Sequence, residues 1–348
     1  MTNPSVGIDV VTNVPAPYRD AAFAVLTRMT DCRIFMLADD EPGRAWSGRR
    51  TPYAFHLVPG AKLRIRGRVR YIPFPSWLIR SRRRTVIVAG FGFASLLTAL
   101  FAPQRCFIWS EATDATEAGV SSMTTRYRRC LVRRARGAVA VGRLSEQYLR
   151  ALGARALVRF PNTLGTEAPA QGHAADSPPM VLLHVGRWSE SKGAHRSVAV
   201  WRRLQERIDD EVSLLIAGHQ DDVALPEGAE YLGFIQSEDV WSTVMSKQPR
   251  LTLVLSDSEH WGYSMHEAMS YGVVPVAHPQ VAAATELLGD AEVNLLAESV
   301  EEVADISFRL LTDDELHRRL SQWCKDRAYA VDAAAAVDRL LRDLAELH

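Results

Sequence analysis

Three short stretches in the second half of the chain combine residue types that could bind and activate a phosphorylated substrate. HVGRWSESKG (184–193) closes an apolar run with Gly186 and Arg187 and supplies Lys192 and Gly193 shortly after. Two cations in a glycine-punctuated loop ahead of a helix suit a diphosphate. The glycines let the backbone approach, the helix N-terminus adds positive potential, and the fixed cations neutralise a leaving phosphate. SEHWGYSMHEAMSYG (258–272) places Glu259 in a loop and Glu267 on the helix that follows. A helix starting near Gly262 directs the amides of Gly262, Tyr263 and Ser264 at one ligand. Glu267 inside it is set to accept two hydroxyl hydrogen bonds from a ribose, and Glu259, nearer the mouth, reaches a sugar ring. YLGFIQSEDVW (231–241) reads as strand, turn and helix, with the backbone at Phe234 and Ile235 placed to read a base edge.

Other polar signals point elsewhere. HEAMS (266–270) starts like the zincin H-E-x-x-H but carries Ser270 in the fifth place, so no metal is expected there. Cys32, Cys106, Cys130 and Cys324 are scattered with no C-x-x-C, which argues against a structural zinc and for a reducing, cytoplasmic setting. His184, inside an apolar run, reads as a core or site-lining histidine. His260, beside Glu259, reads as a sugar-pocket or exposed loop residue.

The elements that must position these residues follow from the hydrophobic runs. VGIDVV (6–11), RIFML (33–37), TVIVA (85–89), RCFIW (105–109), GAVAV (137–141) and LVRF (157–160) alternate with helix-length segments such as 18–29 and 143–152. Residues 162–179 are rich in Pro, Gly, Ala and Ser and read as a linker. The pattern restarts with MVLLHVG (180–186), VSLLIAG (212–218), EYLGFI (230–235), RLTLVL (250–255) and VVPVA (273–277), and turns mostly helical after Asp290. Continuous rather than alternating hydrophobicity means strands buried on both faces, hence parallel sheets covered by helices. The expectation is α/β: two doubly wound, Rossmann-like domains facing a cleft, over 1–161 and 180–331, with a final helix at 332–348. The uncharged stretch 85–104 has nearly membrane-spanning length, but Gly90 and Gly92 split it into a strand, a turn and a short helix stopped by Pro103. The N-terminus, with Asp9 inside its apolar run, does not read as a signal peptide.

A net charge of zero conceals a division. Residues 1–170 hold 26 Lys and Arg against 11 Asp and Glu, and residues 171–348 hold 15 against 30. The basic charge concentrates in Lys62–Arg84, interleaved with Tyr71, Phe74 and Trp77, and in Arg126–Arg136. That composition suits an anionic membrane surface or a phosphorylated ligand as well as a merely solvated face. No zinc-finger spacing, RNP-like aromatic motif or helix-turn-helix signature supports a nucleic-acid partner.

The ordered set G-R-x4-K-G, I-A-G (216–218), an L-G-F strand, and E-x7-E followed by A-M-x-x-G-x-x-P-V resembles the nucleotide-sugar half of retaining glycosyltransferases of family four, which have the GT-B fold. The resemblance is close from Val181 to Glu286 and looser through TNVPAPYR (12–19) and FPN (160–162). It implies that Arg187 and Lys192 bind a donor diphosphate and Glu267 its ribose. It also implies that Glu259 and the amides around Trp261 and Gly262 hold the transferred sugar, that Glu286 is the acidic residue after the last core strand, and that the final helix packs back on the first domain. The chain departs from many relatives in lacking a Gly-Gly loop after the first strand. Arg19 and Glu111 stand where acceptor-side residues are expected.

The expected reaction moves a sugar from a nucleoside-diphosphate sugar, a UDP-sugar by family frequency, to a hydroxyl of a small-molecule, saccharide or lipid acceptor. Retention of configuration and independence of metal are expected, in a bacterial cytoplasmic enzyme that could sit at the inner face of the membrane. The alternatives are a same-fold nucleotide-sugar hydrolase or epimerase, which would turn donor over without acceptor, and a non-catalytic sugar-nucleotide or membrane-binding module.

Overall fold

The computed structural model describes residues 7–39, 50–65, 68–164, 179–235 and 240–347. The chain divides into two compact units, Met1–Gly165 with Val331–His348, and Thr166–Ala330. The linker expected over 162–179 lies mostly outside the described residues.

The first unit runs β1 (Ile8–Thr12), α1 (Pro17–Met29), β2 (Cys32–Met36), β3 (Phe55–Leu57), β4 (Gly60–Ile65), β5 (Arg68–Pro73), α2 (Ser76–Arg80), β6 (Thr85–Ala89), α3 (Phe93–Phe101), β7 (Cys106–Ser110), α4 (Ser122–Arg134), β8 (Gly137–Ala140), α5 (Arg143–Leu152) and β9 (Leu157–Arg159). Among the described residues it holds a seven-stranded parallel sheet in the order β3-β2-β1-β6-β7-β8-β9. Every residue of β1, β7 and β8 is buried, as strands covered by helices on both faces are. Trp77 and Leu78 of α2 and Ala94 of α3 pack on Val11, Phe35, Val86 and Val88. Ala99 of α3 and Leu131 of α4 cover Cys106 and Ile108, and Leu149 and Leu152 of α5 cover Ala138 and Ala140. Side chains alternate along β7, so Trp109 points to the other face. There Phe23 of α1 meets its ring edge-on at 6.0 Å.

Asp9, fully buried in β1, is held by Arg33 at 2.6 and 2.8 Å and by Arg84 at 2.6 Å. This explains how an acid is tolerated inside an apolar strand. The stretch 85–104 forms β6, a turn and α3, and no helix among the described residues is long and apolar enough to cross a membrane. One expectation is corrected. Trp77 is not a surface aromatic among the cations of 62–84, because α2 turns it into the core, where it is 2% exposed. That basic stretch also forms an antiparallel hairpin, β4–β5, paired from Gly60↔Pro73 to Ile65↔Arg68.

The second unit runs β10 (Met180–Val185), α6 (Ala194–Arg207), β11 (Val212–Ala217), β12 (Glu230–Gly233), α7 (Val240–Met245), β13 (Leu251–Val254), α8 (Tyr263–Ser270), β14 (Val274–Ala277), α9 (Ala282–Leu287), α10 (Val300–Thr312) and α11 (Asp314–Ala330). Its parallel sheet has the order β12-β11-β10-β13-β14. The last helix, α12 (Ala333–Glu346), belongs to the first unit and packs on α1 and β9. In each sheet the strand order reverses once, at β1/β6 and at β10/β13, and ligands of open parallel sheets bind outside the strand ends at that reversal.

Candidate functional site

The reversal in the second sheet is flanked by the loops that leave β10 and β13. The first begins at Gly186 and ends at Gly193, the left-handed residue (φ 75°) that starts α6. A Cβ on Gly193 would lie 2.2 Å from the carbonyl oxygen of Leu255, which follows β13. Only glycine lets the two loops meet so closely. Their contact continues where Asp257 N–H donates to Ser191 O at 3.1 Å and where Arg196 pairs with Asp257.

Lys192 and Glu259 come together across this joint. The Lys192 ammonium bonds Glu259 Oε1, which also accepts from Ser256 Oγ at 2.9 Å. Both side chains are about a quarter exposed, so the pair is open to a ligand that would insert between them. Arg187 is not part of this pair. Its guanidinium, 58% exposed, turns to Asp221 at 3.4 Å, because the loop after β11 supplies the nearer counter-charge. Gly186 has open space where a Cβ would stand, so its backbone is open to approach.

Helix α8 starts at Gly262, as its sequence predicts, and its first-turn amides at Tyr263 and Ser264 have no carbonyl one turn earlier in the helix to bond. Glu267 follows one turn on. The Trp241 indole N–H donates to its Oε2 at 3.0 Å, and Trp241 is itself stacked on Tyr271 at 5.2 Å. Burial raises the Glu267 pKa above the ordinary carboxylate value, and the indole bond opposes that shift. His260 is exposed on the loop, beside Glu259. The Trp261 side chain is buried and donates to His266 Nδ1 at 3.4 Å, so only its backbone can face a ligand. Phe234 and Ile235 follow β12, the outer strand, with Phe234 61% exposed. Glu286 lies in α9 after β14, and its carbonyl oxygen accepts from Arg327 at 3.1 Å.

Two buried histidines brace the site from below. His184 lies between Ser197 Oγ and the Arg187 carbonyl, each 3.3 Å away, and burial pushes its pKa down to about 4. His266 bonds Ala328 O at 3.0 Å through Nε2 and is likewise pushed down to about 4 by burial. Because its Nδ1 accepts from Trp261, the proton of neutral His266 sits on Nε2. This packing gives the histidine of HEAMS a structural place.

In the first unit, Arg19 and Glu111 form an ion pair of 2.8 Å at the ends of β1 and β7. Arg19 also donates to Thr12 Oγ1 at 2.6 Å and lies 4.3 Å over the Trp109 ring. Trp241, Ser256 and Thr12 were not singled out from sequence. Their contacts span up to 26 residues, and no local pattern marks them.

Residues 166–327 match the family model described as "Glycosyl transferases group 1". A curated relative, N-acetyl-alpha-D-glucosaminyl L-malate synthase of Bacillus anthracis, is 25% identical over 162 residues. That match covers 43% of this chain and 40% of the relative's length. Among solved structures, Anabaena HepE in complex with UDP and glucose has a TM-score of 0.69 at 14% identity, covering 98% of this chain and 100% of that one. Sucrose-phosphate synthase from Thermosynechococcus elongatus has a TM-score of 0.68 at 16% identity, covering 99% and 100%. The fold is therefore GT-B, and the match to the glycosyl transferases group 1 model falls within the second unit.

Proposed function

We propose that the protein transfers a sugar from a UDP-sugar to an acceptor hydroxyl with retention at the anomeric carbon. The observation that carries this reading is the meeting of Lys192 and Glu259 at the β10/β13 reversal, one helix start away from the indole-held Glu267. Lys192 would neutralise the departing diphosphate, with the first-turn amides of α8 at Tyr263 and Ser264, while Arg187 swings in from Asp221. Glu259, released from Lys192 by the incoming phosphate, would take a sugar hydroxyl. Glu267 Oε1 and Oε2 would accept the ribose hydroxyls. The chain's own cations carry this charge in the proposal, without a metal. A structural neighbour, HepE, was solved with UDP and glucose, which supports the choice of base. Arg19 and Glu111 would orient the acceptor, and the basic unit that bears them favours one that carries phosphate, free or in a lipid.

Melting the protein with UDP, GDP, ADP and dTDP, each with and without EDTA, tests the donor site. UDP at a hundred times its Kd should add about 2.7 kcal/mol, a rise of about 5 °C or more, unchanged by EDTA. Lys192→Ala should abolish most of that rise and cut turnover about 100-fold, the usual effect of removing one donor to a developing charge. A flat panel, or Lys192→Ala with full turnover, overturns the reading.

A further inference from the structure

Helix α3, FASLLTALF, exposes large apolar groups that an ordinary surface helix would bury. Ala94, Ser95, Thr98 and Ala99 are buried and Leu96 and Leu97 pack half-buried beside them, while Phe93, Leu100 and Phe101 face out, Phe101 71% exposed. A soluble helix puts its large apolar groups inward. This one carries no charge at all.

Its neighbours extend the pattern. The Arg134 Nε–H of α4 donates to Ala99 O of α3 at 2.8 Å, and Arg105, just after α3, donates to Ser81 O just after α2. The three helices thus lie side by side on one face of the first sheet. From α4 the outward residues Met123, 79% exposed, Arg126, Tyr127 and Cys130 follow one another at steps of three, one and three, one stripe of a helix, with Arg129 exposed beside it. From α2 the outward residues are Ile79 and Arg80, followed by exposed Arg82 and Arg83. An apolar ridge therefore runs between two basic banks. No Asp or Glu occurs between Glu41 and Glu111.

We propose that this α2–α3–α4 face lies against an anionic lipid bilayer, with Ile79, Phe93, Leu100, Phe101 and Met123 at the acyl boundary and the flanking arginines on the phosphates. Cations flanking an exposed apolar stripe are the requirement for interfacial binding to acidic lipid. Charge also decides against self-association here, since two copies meeting on this face would oppose like charges. At 1.5 Å per residue the 9 residues of α3 span about 14 Å, under half the hydrocarbon thickness, so the helix lies in the interface. The face is distinct from the donor site and does not depend on it.

Sedimentation of the full chain with phosphatidylcholine vesicles, with and without an equal share of phosphatidylglycerol, tests this. Binding is expected only with phosphatidylglycerol, weakening about tenfold between about 0.1 and 0.5 M salt. Phe101→Ser with Met123→Ser, and separately Arg126→Glu with Arg129→Glu, should each weaken binding about tenfold while the melting temperature and the UDP shift stay as in the parent. A lost UDP shift with intact vesicle binding would sink the donor site and leave this face standing. The proposal falls if phosphatidylcholine alone binds as well, if the variants bind like the parent, if single-stranded RNA competes at equal affinity, or if Phe101→Ser instead dissolves a dimer.

Discussion

Glu267 serves the fold and the ligand in opposite ways. Burial raises its folded pKa, so the native state binds a proton that the unfolded chain releases. Stability then falls as pH rises from the ordinary carboxylate value through the folded one, and stays lowered above it. Glu267→Gln keeps an oxygen for the Trp241 indole and removes the charge. At pH 7 it should melt higher than the parent, and the gain should vanish near pH 4. Its amide offers one acceptor and a donor where a ribose needs two acceptors, so UDP should bind about tenfold more weakly, the value of a lost charged hydrogen bond. A variant that melts lower and binds UDP unchanged would remove both claims. Much of this scale was legible: Lys192, Glu259 and Glu267 could be picked out from their order along the chain. The bonds they make were not, since Ser256 and Trp241 reach them only through the packing of α7 and α8.

At the scale of elements, the parallel strands were legible because burial on both faces leaves an unbroken apolar run, as in VVPVA, which becomes β14. Strands β3, β4 and β5 were not picked out. In the hairpin, apolar and charged residues do alternate over 61–65 and 68–71, a period of two that the reading of this stretch as a basic patch passes over. The exposed aromatic and leucine side chains of α3 were hidden in the sequence, because an uncharged segment looks the same whichever side it buries. The joint between the β10 and β13 loops shows what one glycine does for two elements. Gly193→Ala must place a side chain at φ 75° and within 2.2 Å of Leu255 O. Left-handed strain of about 1–2 kcal/mol and overpacking of about 1–3 kcal/mol should add. Chemical denaturation should show a loss of about 3 kcal/mol, with weaker UDP binding because Lys192 moves with its neighbour. An unchanged midpoint would mean that the loops separate at no cost and that their contact does not position Lys192.

For the whole molecule, opposite charge on the two halves means that acid acts on them differently, and the buried histidines decide where it acts first. His184 and His266 both belong to the second unit, and burial holds both near a pKa of about 4 against an ordinary 6.5. Between those values the unfolded chain binds protons that the native state refuses. The stability this represents is present above pH 6.5 and is lost as pH falls toward 4. Each histidine contributes a slope of up to about 1.4 kcal/mol per pH unit. His266 braces α8 through Trp261 and Ala328, so its protonation should loosen the helix that carries Glu267. Calorimetry between pH 7 and pH 5 should therefore show the transition that UDP shifts moving down faster than the other. His266→Asn, which cannot take up the proton, should melt lower at pH 7 and lose part of that pH dependence, the rest remaining with His184 and with His278 and His317 of the same unit, whose pKa values burial also lowers. If the UDP-responsive transition moves no faster than the rest, or if His266→Asn keeps the full slope, these histidines do not set the acid limit, and the acidic surface of the second half becomes the place to look.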